Sequence, residues 1–400
     1  MAVQLGRGPV DSRSTVALPK ALVNTFLSRF TRRMSHEMSD SLFLVSGFDE
    51  RSCGHSLTLV GDRLCPGPTW AAGAGCTYLC AFIDASGRRF VVTANRDVSL
   101  GGAASACCLS LEVVAGVVAV RAVSPSVNAA GVNSCHVSVH PSGMWVAVSN
   151  WVSGTLALLP RGADGSLGAA ACVLAPGANT HQCVWAAGGT RAIVPVMGAD
   201  RVLVYTFDAS TGVLTLLRTW DAPPGSGPRH VVLNGDESCL YLISEMACSV
   251  TSLAFVATSG ELSPLCTVSA LHDGAVLNMG GERGPPKAAA IVLTNDGRYV
   301  YAGIRGGDGC RDGVAAFSVS NDGRLKSVGF FDGTEPGAAW PPLRVPRDMC
   351  LSPASTHLLV ASQANDTVHC FQVVSSSGVL VVTDALRLPG AKPTCIKAVL

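Results

Sequence analysis

The segment GPRHVVLNGDESCLYLISEM, residues 227–246, sets Arg229 and His230 directly before one apolar run and Glu245 directly after the next. A guanidinium grips carboxylate or phosphate through two parallel hydrogen bonds, a carboxylate accepts a proton, and an imidazole changes charge near neutral pH. If the two runs are neighbouring antiparallel strands, the start of the first and the end of the second share an edge. Arg229 and Glu245 then meet although sixteen residues separate them. Equivalent strand starts carry His136 in SCHVSVH, His181 in THQCVW, and Arg347 with Asp348 in PRDMCLS; equivalent strand ends carry Asn150, Arg305 in GIRGG, and Gln363. Arginines gathered around one acid and imidazoles make a cleft that holds a small anionic molecule and moves a proton. Taken singly, each has a plainer reading. Arg229 and Arg305 would serve as surface ion pairs, Glu245 as a solvated loop acid, and His181 and His230 as hydrogen-bonded structural imidazoles. Asp348 would orient its arginine, and Arg311, in the glycine-rich RGGDGCRDG, rivals Arg305. The joint pattern carries the expectation of a site.

The elements that must position these residues recur along the chain. A strand-like run, a tight turn, a second run, a polar loop, a third run, a turn and a fourth run make one unit. The second runs are RRFVVTANR from Arg88, MWVAVSN from Met144, RAIVPVMG from Arg191, CLYLISE from Cys239, RYVYAGIR from Arg298 and HLLVASQ from His357. Each follows a turn such as ASGR, PSGM, GDES or NDGR, whose glycines and short polar residues suit hairpins. The units step by 56, 46, 46, 62 and 57 residues. A period of this size with four strands inside it predicts an all-β fold, a seven-bladed β-propeller of four-stranded antiparallel blades over residues 41–400. The run VLVVTDALRL (379–388) is expected to complete the first blade. Residues 1–40 are expected to be a flexible N-terminal extension. Their stretch LPKALVNTFLSRFTRRM carries Lys20, Arg29, Arg32 and Arg33 without an acid, in the manner of a mitochondrial presequence.

Composition narrows the function classes. With 48% hydrophobic and 14% charged residues the chain buries a large core, and a formal charge of +1 without a basic stripe argues against nucleic acid. Apolar runs stop well short of a membrane span. The sixteen cysteines sit singly in apolar runs, as in CVW from Cys183 and CLYLIS from Cys239, and read as small buried hydrophobes in a reducing compartment. The cytoplasm is therefore expected, with the mitochondrion as the alternative. Cys76 with Cys80, and Cys107 with Cys108, lack the paired spacings of zinc sites, so neither metal nor cofactor is expected. Nothing in the pattern specifies an oligomeric state.

HVSVHPSG, the long segment from DRVLVYTFDASTG through GPRHVVLNGDESCLYLISE, NDGRYVYAGIRG, and PRDMCLSP with HLLVASQANDTVHCF together resemble the lactonase family of seven-bladed propellers. That family includes bacterial 6-phosphogluconolactonases and fungal carboxy-muconate cyclases. The resemblance implies that His181, Arg229, Glu245 and Arg305 are catalytic, leaving His136, His230, Arg347 and Gln363 to bind substrate. A carboxylate among guanidinium groups is expected to be held ionised, with a nearby imidazole held protonated or orienting it. Three positions depart from the family pattern: Asn179 replaces a histidine, Val196 an aspartate and Ala290 a glutamate. The implied activity is hydrolysis of a sugar-acid lactone such as 6-phosphogluconolactone. The alternatives are a muconate-type lactonizing cyclase and a propeller that binds a ligand or protein without catalysis.

Overall fold

The computed structural model describes residues 41–48, 53–114, 117–275, 282–334 and 340–399. The expected extension over residues 1–40, with its presequence-like character, lies outside the described residues. Seven antiparallel sheets follow one another in the chain, and their inner strands lie side by side around a central channel. Blades 2 to 7 begin with the inner strands Cys76–Ile83, Ser134–Val139, Val184–Ala186, Pro228–Leu233, Lys287–Leu293 and Pro346–Leu351. All six second runs read from the sequence are second strands of these blades, from Arg89–Asp97 to His357–Ser362. They read as continuous apolar runs because both faces are covered by neighbouring blades: all six residues of Cys239–Ser244 are buried.

The core lies between blades. Ile193, Val202 and Val204 of blade 4 meet Val231, Leu240, Leu242 and Leu253 of blade 5. Tyr241 and Ile243 pack in turn against Ile291, Val300, Ala302 and Phe317 of blade 6. Nine of the sixteen cysteines, Cys183 and Cys239 among them, are free thiols buried in such layers.

Blade 1 closes the ring, and here the structure corrects the expectation. Leu380–Arg387 is the outer strand of blade 7, paired with Thr367–Val373. The inner strand of blade 1 is Pro393–Ala398, which pairs with Ser41–Gly47. The first four residues of Pro393–Ala398 are buried, as a strand between two blades must be, whereas Leu380–Arg387 is largely half-exposed. The seam is held by Asp348 of blade 7, whose Oδ2 accepts from the Ile396 amide (3.0 Å) and pairs with Lys397 Nζ (2.5 Å). Blade 2 carries a fifth strand, because its twelve-residue third strand Ala103–Val114 pairs with both Val117–Ala122 and Val127–Val132. No helix among the described residues is long and apolar enough to cross a membrane.

Candidate active site

The inner strands share one irregularity, and it builds the site. Pairing with the second strand skips Thr77, Cys135, Arg229, Arg347 and Thr394 on blades 2, 3, 5, 7 and 1. On blade 4, His181 lies between the Thr180–Val196 bridge and the regular pairing that begins at Val184–Ile193. A bulge leaves its residue outside the ladder and turns the side chain away from the regular alternation. On blades 1 to 3 the bulged residues are short and join each blade to the next. Thr394 Oγ1 donates to the Thr77 carbonyl (3.0 Å), Thr77 Oγ1 to the Ser134 carbonyl (2.7 Å), and Cys135 Sγ to the His181 carbonyl (3.3 Å). On blades 4, 5 and 7 they are His181, Arg229 and Arg347, and these line the cavity at the channel mouth.

A second ring of side chains comes from the ends of the second strands. Glu245 follows Ser244 on blade 5, and Arg305 ends the second strand of blade 6. Arg229 Nε and Arg305 Nη2 both reach Glu245 Oε2, at 2.9 Å and 2.8 Å. The two guanidiniums also donate to blade 6: Arg229 Nη1 to the Ala289 carbonyl (2.6 Å) and Arg305 Nη2 to the Ala288 carbonyl (2.8 Å). Burial alone would push the Glu245 carboxyl up, but Arg305 and Arg229 outweigh it and hold the carboxyl below its ordinary range. The acid is therefore ionised at neutral pH.

The imidazoles depart from the expectation of a protonated partner. Burial, reinforced by nearby cations, holds His136, His181 and His230 well below the ordinary histidine value. All three are neutral at pH 7. His181 packs edge-on against His230 with centroids 4.9 Å apart, and its Nδ1 is buried without a hydrogen-bond partner.

Of the eight residues expected at the site, His181, Arg229, His230, Glu245, Arg305 and Arg347 line the cavity. His136 does not. It packs against the rings of Tyr78 (4.4 Å) and His230 (5.7 Å), which hold the same place after the bulge on their own blades and do line the cavity. Gln363 holds the rim position of blade 7 without lining the cavity. Arg311 points elsewhere, to Asp332 (2.6 Å), so Arg305 is the arginine of that loop that meets the acid. The three departures have local roles. Asn179, at φ 58°, donates to the Trp151 carbonyl (3.3 Å) ahead of His181, while Val196 and Ala290 are buried in core layers.

Several cavity residues escaped the sequence reading, among them the cations Arg96 and Lys287 and the aromatic Phe48. Arg96 and Phe48, next to the ends of the second strands of blades 2 and 1, occupy the position that Glu245 holds on blade 5. The same strand-end rule, applied to the VVTANR run, points to Arg96. The Phe48 ring faces two cations, with the Arg96 guanidinium 4.1 Å and the Arg347 guanidinium 5.8 Å from its centroid. Among the described residues no cluster of three or more His, Cys, Asp or Glu side chains is arranged to hold a metal.

The fold is that of a β-propeller with one polar channel mouth. Residues 112–398 match the family model described as lactonase, 7-bladed beta-propeller, and the chain belongs to that family. It is 27% identical over 279 residues to the 6-phosphogluconolactonase of Bacillus subtilis (strain 168), a match covering 67% of this chain and 73% of that protein. It is 24% identical over 247 residues to the 6-phosphogluconolactonase of Klebsiella pneumoniae (strain 342), covering 61% of this chain and 68% of that protein. The periplasmic gluconolactonase of Pseudomonas aeruginosa shares the fold, with a TM-score of 0.76 and 23% identity across 90% of this chain and 99% of that one.

Proposed function

We propose that this protein opens a sugar-acid lactone by hydrolysis, with 6-phosphogluconolactone as its substrate. The observation that carries the reading is the arrangement of Arg229 and Arg305 on one oxygen of Glu245, in a cavity also lined by the neutral imidazole of His181. Among the described residues, Arg229 Nη2 and Arg305 Nη1 have no protein partner and are available to a lactone carbonyl. Water adds to that carbonyl and gives its proton to His181, the two guanidiniums stabilise the tetrahedral oxyanion, and Glu245 holds them in place. The ring C–O bond then breaks, and His181 returns the proton to the departing ring oxygen. The product is an open-chain hydroxy acid. His181 suits the role better than Glu245 because no protein group occupies its ring Nδ1, whereas Glu245 Oε2 already takes two guanidiniums.

The test is a titrimetric assay on phosphorylated and unphosphorylated gluconolactone, corrected for spontaneous ring opening. Turnover above the uncatalysed rate is expected with the wild type and is expected to disappear with Arg229→Ala. A wild-type protein that leaves the spontaneous rate unchanged on every lactone would refute the reading.

A further inference from the structure

Blade 7 repeats the device of blade 5 but lacks its acid. Both inner strands open with Pro-Arg, Pro228-Arg229 and Pro346-Arg347, and both place the arginine in a bulge. Sixteen residues after Arg229 stands Glu245; sixteen after Arg347 stands Gln363. Among the described residues no carboxylate makes a salt bridge with Arg347 or with Arg96. Arg347 has the face of Phe48. Arg96 has the same ring and the Asn133 Oδ1 (3.1 Å), while its Nε is buried without a partner. Burial, then the neighbouring Arg305 and Arg229, press the Arg347 guanidinium down to about 9, and Glu245, which makes no ion pair with it, offsets them only in part.

A half-buried cation with no carboxylate in direct contact is destabilising, and a structural role would have been served by pairing it. The Phe48 ring packs against both guanidiniums. We propose that Arg347 and Arg96, both packed against the Phe48 ring, receive a second anionic group of the substrate, remote from the lactone carbonyl, and so select lactones that carry a phosphate or carboxylate. This deepens the lactone reading and rests on it for the name of the substrate. The subsite belongs to blades 7, 1 and 2, whereas the reacting carbonyl sits over blades 4 to 6. A chain of several bonds must therefore separate the anion from the carbonyl.

Binding tests the subsite without requiring turnover. Titration calorimetry on the full-length protein would compare gluconate, 6-phosphogluconate and glucarate, which share a polyol acid and differ at the far end. Wild type is expected to bind a doubly anionic ligand about 30- to 100-fold more tightly than gluconate, the range of one or two charge-assisted hydrogen bonds. Preference for 6-phosphogluconate identifies phosphate, and preference for glucarate identifies carboxylate. Arg347→Gln should erase the preference, weakening the doubly anionic ligand far more than gluconate, and Arg96→Gln should reduce it in part. Should Arg347→Gln misfold, Arg347→Lys, which keeps the charge but loses the fork, is expected to forfeit about tenfold of the preference. Equal binding of all three ligands by wild type, or an undiminished preference in Arg347→Gln and Arg96→Gln, would overturn the subsite. A preference that behaves as described in a protein that opens no lactone would leave the subsite standing and remove the hydrolase reading.

Discussion

Blades 5 and 7 use one backbone device for two ends. Each sends an arginine out of a bulge behind a proline, and each ends its second strand at the same rim position sixteen residues on. On blade 5 that position is Glu245, and Arg229 is locked by an ion pair and a carbonyl. On blade 7 it is Gln363, and Arg347 faces the cavity with an aromatic ring as its neighbour. The residue after the bulge differs as well. His230 joins the neutral imidazole cluster, whereas Asp348 turns to the blade 1 seam and pairs with Lys397. The comparison teaches that one rim side chain decides whether a guanidinium is locked in an ion pair or left open to the cavity.

The largest effect should fall on the blade 5 side. His181→Gln removes the proton carrier and is expected to lower turnover by about 10²- to 10⁴-fold with the fold intact. Steady-state rates beside a circular dichroism melt check this, and an undiminished rate would remove His181 from the mechanism. Glu245→Gln should lower turnover by about 10²- to 10³-fold by freeing the two arginines from their fixed orientation. It should at the same time strengthen binding of inorganic phosphate, because blade 5 then resembles blade 7; unchanged phosphate affinity would break the comparison.

Two effects on stability come next. Lys397→Met strands Asp348 at the ring seam and is expected to cost about 3 kcal/mol in urea unfolding, part of it recovered by adding Asp348→Ala. Of similar size is the pH dependence. His136, His181 and His230 are held neutral below the ordinary value of 6.5. On acidification the unfolded chain takes up protons that the folded protein refuses, so stability falls as pH drops through the unfolded value. Each imidazole should contribute about 1 kcal/mol between pH 7 and 5.5. A flat urea midpoint over that window would mean that the cluster is charged after all. The smallest expected effect is the sharpest test of the blade comparison. Gln363→Glu supplies blade 7 with the acid that blade 5 has, and should reduce the preference for 6-phosphogluconate over gluconate roughly fivefold, about 1 kcal/mol.

The propeller was legible because its signal is local and repeated. Second strands buried on both faces leave continuous apolar runs, and their hairpin turns need Gly or short polar residues, as at Gly143 (φ 71°) and Gly297 (φ 72°). The Arg229–Glu245 pair was legible for the same reason: a single hairpin spans it, so strand polarity alone brings its ends together. The choice between Arg305 and Arg311 was not, because both flank one glycine-rich loop and only the register of Tyr299–Arg305 against Lys287–Leu293 aims the former at Glu245.

By itself, then, the sequence determined the number and order of the blades and the hairpin that joins Arg229 to Glu245. Tertiary structure decided the rest, for three physical reasons. A bulge shifts side-chain direction without a mark in the residue pattern, and packing between blades then decides which rings reach the cavity: His230 lines it, whereas His136, at the equivalent place on blade 3, packs against Tyr78 and His230. Leu380–Arg387 and Pro393–Ala398 both read as strands, and only the closed ring requires the latter to lie innermost. Arg96, Phe48 and Arg347 come from blades 2, 1 and 7, which that closure alone makes neighbours, so the unpaired cations facing one ring exist only in the folded chain.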